Sequence, residues 1–220
     1  LMDSIPPELG KALGMDAETW SSILGFYSTY YGVYIIVLVS IYTASTGAGI
    51  ISKEEKDGTS EFLLTRPISR KTVVFTKLMS LYTLTMMIFS IQVITALISV
   101  YFFAVAEVDW SVFFQMHFSG LILVLFFTAT GVLISMFVTP KKNFMGIVVG
   151  LTFGTYFLNA MGKSADAVSW ISYISPFNYL EITKDPTVEF NFIGAAVLIL
   201  LAIGMLFVAN KAYAKKDISG

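Results

Sequence analysis

Cysteine is absent from the 220 residues, and histidine occurs only once. Without a thiol the chain forms no disulfide, no thiolate metal site and no cysteine nucleophile. The lone imidazole, His117, has no partners for a metal site, so a hydrogen bond between helices is its expected role. Charge is scarce too, since 13% of residues are charged against roughly 25% in soluble domains. With 56% apolar residues, the expected class is a membrane protein.

Five apolar runs are long enough to cross a bilayer core, which takes about 20 helical residues. They are predicted near 27–51, 74–105, 112–138, 144–161 and 192–210. Each must be helical, because a backbone that faces lipid has to satisfy its own hydrogen bonds. We therefore expect one all-α integral membrane domain over residues 1–220, a polytopic helical bundle.

Basic residues divide unequally between the loops on the two sides of these runs. Eleven lie in or beside one set of loops, 52–73, 139–143 and 211–220, against three in the other set, 1–26, 106–111 and 162–191. The positive-inside rule places the first set in the cytoplasm. The N-terminus is then outside without a visible cleavable signal. We expect a preceding span to be missing and the full-length chain to have six helices, with a five-span chain starting at Met2 as the alternative.

A charged island at 53–71 separates the first two runs. Gly58 turns or breaks the helix, Thr59 or Ser60 can cap a new short helix, and Glu61 suits the N-terminus of that helix. Its apolar face consists of Phe62, Leu63 and Leu64, its end is Arg66-Pro67, and Ser69 is a candidate cap for the next run. The pattern predicts a short amphipathic helix at the membrane surface, with a solvated connector as the alternative.

Aromatic residues mark the loop between the fourth and fifth runs. Trp170, Tyr173, Phe177 and Tyr179 form a belt typical of a membrane interface. Pro176 breaks the helix between them. An ordinary interface loop is the alternative to a functional element here.

Polar side chains inside the second run share one helical face. Such side chains are costly in lipid and usually face protein or water. Three of them recur every seven residues and the fourth lies beside them: Thr85, Gln92, Ser99 and Thr95. The face either lines a translocation path or bonds to a neighbouring helix, and packing is the favoured interpretation.

Glycines form a ridge at four-residue spacing in the fourth run, at Gly146, Gly150 and Gly154. Such a ridge favours close helix approach, either inside the protein or at a dimer interface. The Gly-rich segment 43–49 of the first run similarly predicts packing or a hinge.

Gly162-Lys163-Ser164 resembles the end of a phosphate-binding loop, but Phe157 replaces the glycine that such a loop requires five residues earlier. The chain therefore has no ATPase motif. We expect it to bind no cofactor, no metal and no nucleic acid.

The island resembles the cytoplasmic loop of ABC-2 type permeases, the membrane subunits of bacterial ATP-driven exporters, in their six-span branch. The matching positions are Glu54, Glu55, Gly58, Thr59, Glu61, Leu63, Leu64, Pro67, Ile68, Ser69, Arg70 and Lys77. The external loop resembles the family's Ser-Pro-Phe element, where the chain dips into the outer leaflet as two short helices. The residues of that element are Trp170, Ser175, Pro176 and Phe177.

The resemblance implies that the island is a coupling helix for a separate cytoplasmic ABC ATPase, which would bind ATP and Mg²⁺. The coupling residues would be Glu54, Glu55, Gly58, Thr59, Glu61, Phe62, Leu63, Leu64, Arg66, Pro67 and Arg70. It also implies a second permease, either a second copy or a related chain, within the lipid of a bacterial cell membrane. The distribution of basic residues places the C-terminus in the cytoplasm. The expected function is export of an amphipathic or hydrophobic cargo, such as a peptide, an antibiotic or a lipid.

Two other functions remain open. A membrane anchor or immunity subunit would bind the ATPase or a peptide without transport. An intramembrane protease is disfavoured, because Thr59 replaces the arginine expected after the pair Glu54-Glu55 and only one histidine is present.

Overall fold

The computed structural model describes residues 22–56, 69–104, 107–137, 144–180 and 189–215, and the regular structure within these residues is helical. Five helices are long and apolar enough to cross a membrane. They are Ile23–Ile50 (span 1), Thr72–Phe103 (span 2), Trp110–Phe137 (span 3), Phe144–Ser164 (span 4) and Phe192–Tyr213 (span 5). The predicted all-α bundle with five spans is confirmed. Residues 57–68, which hold most of the predicted coupling helix, lie outside the described part of the chain.

Span 1 is a continuous helix with an irregular turn inside it. The first part, Ile23–Tyr30, starts at Ser22, whose side-chain oxygen accepts a 3.0 Å hydrogen bond from the amide of Gly25. A π-helical segment follows at Tyr31–Ile36, and α-helix resumes at Val37–Lys56. π-Helical turns are rare and often occur at functional sites, which draws attention to Tyr31 at the start of this one.

Span 2 belongs to the longest helix, Arg70–Phe103, which has 34 residues. The Ser69 hydroxyl accepts a 3.1 Å hydrogen bond from the amide of Thr72, so the predicted cap is confirmed. At about 1.5 Å per residue the helix is about 51 Å long. Because the hydrocarbon core is only about 30 Å thick, this helix must tilt or extend past it.

Span 3 is the centre of the bundle. Asp109 caps it by accepting hydrogen bonds from the amides of Ser111 and Val112, at 2.9 and 3.2 Å. In its most apolar stretch 56% of the residues are buried, against 39% or less in the other spans. The remaining helices therefore pack around span 3.

Spans 1 and 3 pack backbone to backbone. A Cβ atom added at Gly131 would overlap the carbonyl group of Ala44, and one at Gly47 would lie 3.0 Å from the carbonyl oxygen of Thr128. Small residues at such points let helices approach closely in lipid. The Gly-rich segment 43–49 therefore serves packing, one of its two predicted roles.

A separate apolar cluster, the end cluster, lies where spans 1 and 2 flank residues 57–68. Its buried members are Val74, Leu81, Val132, Ala209 and Tyr213. Ile50 of span 1 and Leu78 of span 2 pack against them. The end cluster thus joins spans 1, 2, 3 and 5 on the side predicted to be cytoplasmic.

Two short helices connect spans 4 and 5, a 3₁₀ helix at Asp166–Ile174 and an α-helix at Pro176–Tyr179. They match the predicted pair. Gly162 at the end of span 4 allows the 3₁₀ helix to pack against it, because an added Cβ atom would lie 2.6 Å from the amide nitrogen of Ser172. This close approach explains the glycine in the Gly-Lys-Ser sequence without any phosphate.

Large apolar side chains cover the outward faces of the spans. Phe75, Phe102 and Ile193 are 65%, 71% and 80% exposed. Soluble monomers rarely expose contiguous apolar patches larger than a few hundred Å². This surface is therefore suited to lipid and to other membrane helices.

Candidate functional site

A hydrogen bond joins spans 1 and 2 at the base of the hairpin that they form. The ammonium group of Lys77 donates to the carbonyl oxygen of Ile50 at 2.7 Å, in a partly buried position. Lys77 lies seven residues after Arg70 begins its helix, and Ile50 lies six residues before its own helix ends at Lys56. The bond therefore joins the two helices near the ends that lead into the island.

The predicted coupling residues fall into two groups. Glu54 and Glu55 lie on the last turns of the helix that ends at Lys56, and Arg70 is the first residue of the next helix. The others lie outside the described residues: Gly58, Thr59, Glu61, Phe62, Leu63, Leu64, Arg66 and Pro67. Their contact with an ATPase stays a prediction.

A polar cluster links spans 1, 2 and 3 near their other ends. The Tyr27 hydroxyl lies 2.9 Å from Nε2 of His117, and the Gln92 amide nitrogen donates to the same hydroxyl at 3.2 Å. His117 Nδ1 lies 2.7 Å from the carbonyl oxygen of Phe113. The predicted hydrogen bond of His117 between helices is confirmed.

The direction of these hydrogen bonds follows from the Phe113 carbonyl, which can only accept. His117 Nδ1 must therefore carry a proton, and in neutral imidazole Nε2 is then an acceptor. Tyr27 donates to that nitrogen while its oxygen accepts from Gln92. The chain of bonds thus runs in one direction, from Gln92 through Tyr27 and His117 to Phe113.

Two buried polar atoms near these hydrogen bonds have no partner among the described residues. They are Oε1 of Gln92 and the hydroxyl of Tyr31. Tyr31 is fully buried, and its ring lies 4.6 Å from that of His117. Its hydroxyl sits over Gly120, where an added Cβ atom would overlap it. Both atoms lie close to the polar cluster, so uncharged polar groups of spans 1, 2 and 3 are concentrated in this region.

Sequence reasoning missed Tyr27 and Tyr31 as partners of His117. A local signal was present, since Tyr27 and Tyr31 are four residues apart, as are Phe113 and His117. Residues at this spacing lie on one face of a helix. Which two faces meet is a property of the packed spans and cannot be derived from either spacing alone.

The polar face predicted on span 2 is divided in the structure. Thr85 is fully buried and Gln92 takes part in the polar cluster, whereas Thr95 and Ser99 are exposed. The three hydroxyl groups each donate to a carbonyl oxygen four residues earlier in their own helix. Gln92 thus bonds to a neighbouring helix, and a pathway along this face stays a prediction.

The external element is divided in a similar way. Ser175, Pro176 and Phe177 are buried, and the Ser175 hydroxyl accepts a 3.2 Å hydrogen bond from the amide of Phe177. The Phe177 ring lies 5.3 Å from that of Phe127 and 5.5 Å from that of Tyr156. Trp170, by contrast, is 62% exposed. The buried half anchors the element to spans 3 and 4, and the exposed half is free to contact the interface.

A pocket of about 500 Å³ opens beside this element, between spans 3 and 5. Its polar lining comes from Gln115, Ser119, Asn178, Glu189 and Asn191. The volume falls in the usual range of small-molecule sites, about 300–1,000 Å³. Sequence reasoning did not identify this pocket, because its residues come from three separate segments.

The glycine ridge of span 4 faces open space. A Cβ atom added at Gly146, Gly150 or Gly154 would have no described atom of another element within 4 Å. By contrast, the glycines at 47, 120, 131, 162 and 194 are all packed tightly against neighbouring groups. The ridge therefore makes no close internal helix contact in the described part of the chain.

One comparison with known proteins identifies a relationship. A family model described as ABC-2 family transporter protein matches residues 7–218, almost the whole chain. Neither a curated protein nor a solved structure gives a significant match.

Proposed function

Because the chain belongs to the ABC-2 family of transporter proteins, and is therefore the membrane permease subunit of an ABC transporter, we propose that it exports an amphipathic or hydrophobic cargo. The energy comes from a separate cytoplasmic ATPase that binds ATP and Mg²⁺. The membrane is the bacterial cell membrane, with the C-terminus in the cytoplasm. Lipid contacts the exposed apolar faces of the spans.

The cargo class is supported by the chemistry of the spans. Charged residues in the five spans occur only near their ends, at Lys77, Lys163 and Lys211. Uncharged polar groups and apolar side chains make up the rest. A path without fixed charge favours peptides, antibiotics or lipids with large apolar parts over small ions.

Coupling to the ATPase is assigned to the island between spans 1 and 2. The observation that carries this assignment is the bond between Lys77 and Ile50, which holds the two flanking helices together at the base of the island. The predicted coupling helix would bury its apolar face in a groove of the ATPase, while neighbouring charges fix its orientation. Closure of the ATPase then moves the hairpin.

A second copy of the chain completes the transporter by packing against the glycine ridge of span 4. Glycine in a membrane helix is useful where another backbone approaches. The ridge has no such neighbour among the described residues, whereas the packed glycines of the same chain do. A related permease in place of the second copy is the alternative outcome of an oligomer measurement.

Co-purification with the ABC ATPase encoded beside the permease tests this function. The decisive variant changes Gly58, Thr59 and Glu61 to alanine. The matched control changes three polar residues of the opposite side, Asp166, Ser169 and Glu189, to alanine. We expect the wild type and the control to retain the ATPase in detergent, and the island variant to lose it while still inserting into the membrane.

Retention by the island variant, or no retention by the wild type, would contradict the assignment. A transport assay then distinguishes an exporter from an anchor that only binds the ATPase. Inside-out vesicles that contain the complex should take up a fluorescent lipid analogue in an ATP-dependent manner. Binding without uptake of this or of hydrophobic peptide probes would favour the anchor.

A further inference from the structure

We infer that Lys77 is a positioning residue for energy coupling, because it makes the two helices that flank the island move as one rigid unit. The role of Lys77 in energy coupling rests on the proposed function, whereas its contact with the neighbouring helix does not. Its basis is the 2.7 Å hydrogen bond from the Lys77 ammonium to the Ile50 carbonyl, which joins positions 27 residues apart.

The acceptor of the bond is a backbone carbonyl of a neighbouring helix. Ile50 lies inside the helix Val37–Lys56, where the carbonyl oxygen already serves the helix with one of its two lone pairs. Lys77 uses the second lone pair without breaking the helix. Because the acceptor is a backbone atom, the bond does not depend on the side chain at position 50. It links Lys77 to the backbone of the helix itself. Lys77 therefore fixes the separation of two backbones.

The location of the bond matters as much as its strength. Lys77 is partly buried, where a charge-assisted hydrogen bond is screened less by water and salt than at an exposed position. Removing the ammonium leaves the carbonyl with its helical bond, so the helix itself should persist. What is lost is the cross-link between the two helices.

The end cluster connects the hairpin of spans 1 and 2 to spans 3 and 5, so a displacement of the hairpin would displace these spans too. Ile50 and Leu78 pack against its buried members, which include Val132 of span 3 and Ala209 of span 5. A force that acts on a rigid hairpin reaches these spans through packed side chains. If the two helices can separate, the same force is absorbed at the base of the island and the other spans stay in place.

Pulsed electron spin resonance can measure the separation directly. The native chain has no cysteine, so two spin labels can be attached at Thr46→Cys and Phe75→Cys without removing any native thiol. Phe75 is 65% exposed and Thr46 is partly exposed. Thr46 lies four residues before Ile50, and Phe75 lies two residues before Lys77. The full chain is reconstituted in bilayers of bacterial phospholipid, with and without its ATPase.

We expect a single narrow distance distribution in the wild type and a broader one in Lys77→Met. Lys77→Arg keeps a long side chain with donors at its end and should restore the narrow distribution. The matched control is Lys211→Met. It removes a cation from the same predicted side of the membrane, where the ammonium lies 4.4 Å from the centre of the Phe207 ring on its own helix. Its distribution should equal that of the wild type.

A second label pair at Phe75→Cys and Phe137→Cys reports whether the movement reaches span 3. With the ATPase bound, a non-hydrolysable ATP analogue should shift this distance in the wild type and in Lys77→Arg. The shift should be lost in Lys77→Met although the ATPase is still retained. Should Lys77→Met fail to insert, Lys77→Gln replaces it, because its donor is one bond shorter and falls short of the carbonyl.

Equal distributions in the wild type and in the Lys77→Met or Lys77→Gln variant would overturn the inference, as would an unchanged nucleotide-dependent shift. Failure of the proposed function gives a different result. In that case the wild type retains no ATPase, whereas the first label pair still reports whether Lys77 holds the helices together.

Discussion

The hydroxyl of Tyr27 lies 2.9 Å from Nε2 of His117, although 90 residues separate them in the chain. This contact joins span 1 to span 3, and Gln92 adds span 2 through the same hydroxyl. Three spans thus share one oxygen atom. The arrangement gives the lone histidine of span 3 a structural role, because it bonds this span to span 1.

Loss of this hydroxyl should weaken the bundle. Tyr27→Phe keeps the ring that stacks on Tyr31 and Phe113 and removes only the shared oxygen. Hydrogen bonds between membrane helices contribute about 0.6 kcal/mol on average and up to about 2 kcal/mol. We expect a free energy of unfolding lower by about 1–2 kcal/mol, measured by denaturation in mixed micelles.

The control for this prediction is Ser99→Ala, which removes an exposed hydroxyl bonded only to its own helix. Its unfolding free energy should stay close to that of the wild type. In the double variant Tyr27→Phe, His117→Leu, the two losses should be non-additive because both residues share one bond. Additive losses would show that the cluster does not act as a unit.

A methyl group at Gly131 should be more harmful than the loss of any single hydrogen bond. In Gly131→Ala the new Cβ atom overlaps the backbone of Ala44, and backbone cannot rotate away. Overpacking typically costs about 1–3 kcal/mol, so the thermal midpoint in detergent should fall clearly. Gly204→Ala is the matched control, because open space surrounds its position. A similar midpoint for both variants would contradict the observed packing.

The glycines show where prediction from sequence succeeds and where it ends. The spacing of Gly146, Gly150 and Gly154 correctly suggested a small-residue ridge, yet the structure places the ridge at open space. A much closer approach occurs at Gly131, which belongs to no such ridge. Spacing describes the surface of one helix, whereas a close contact depends on which surface of another helix meets it.

Other features depended on local chemistry and were predictable. The five spans follow from apolar length, the cap at Ser69 from a hydroxyl before a helix, and the two short external helices from the family resemblance. The partner of Lys77 was not predictable, because its acceptor is the backbone carbonyl of Ile50, and every residue type carries the same carbonyl. Most coupling residues lie outside the described part of the chain and stay predictions.

The open glycine ridge gives a prediction about assembly. In Gly150→Leu a large side chain fills the surface on which the second copy is proposed to pack. We expect a shift from dimer to monomer, measured by mass photometry of the complex in nanodiscs, with the unfolding midpoint of the monomer unchanged. Gly204→Leu makes the same change on an open face of span 5 and should leave the dimer intact. Equal loss of dimer in both variants would argue against the ridge as the interface.

The external element should divide into a structural half and a dispensable half. Phe177 is buried against Phe127 and Tyr156, so Phe177→Ala leaves a cavity and should lower the unfolding free energy by about 3–5 kcal/mol.

Trp170 is 62% exposed, and Trp170→Ala should change the unfolding free energy in detergent little. In bilayers, however, loss of this ring removes an interfacial anchor. The Trp170→Ala variant should therefore differ from the wild type only when lipid is present, which unfolding in detergent and in bilayers compares directly. A large loss for Trp170→Ala in detergent would show that its ring packs on the protein rather than on lipid.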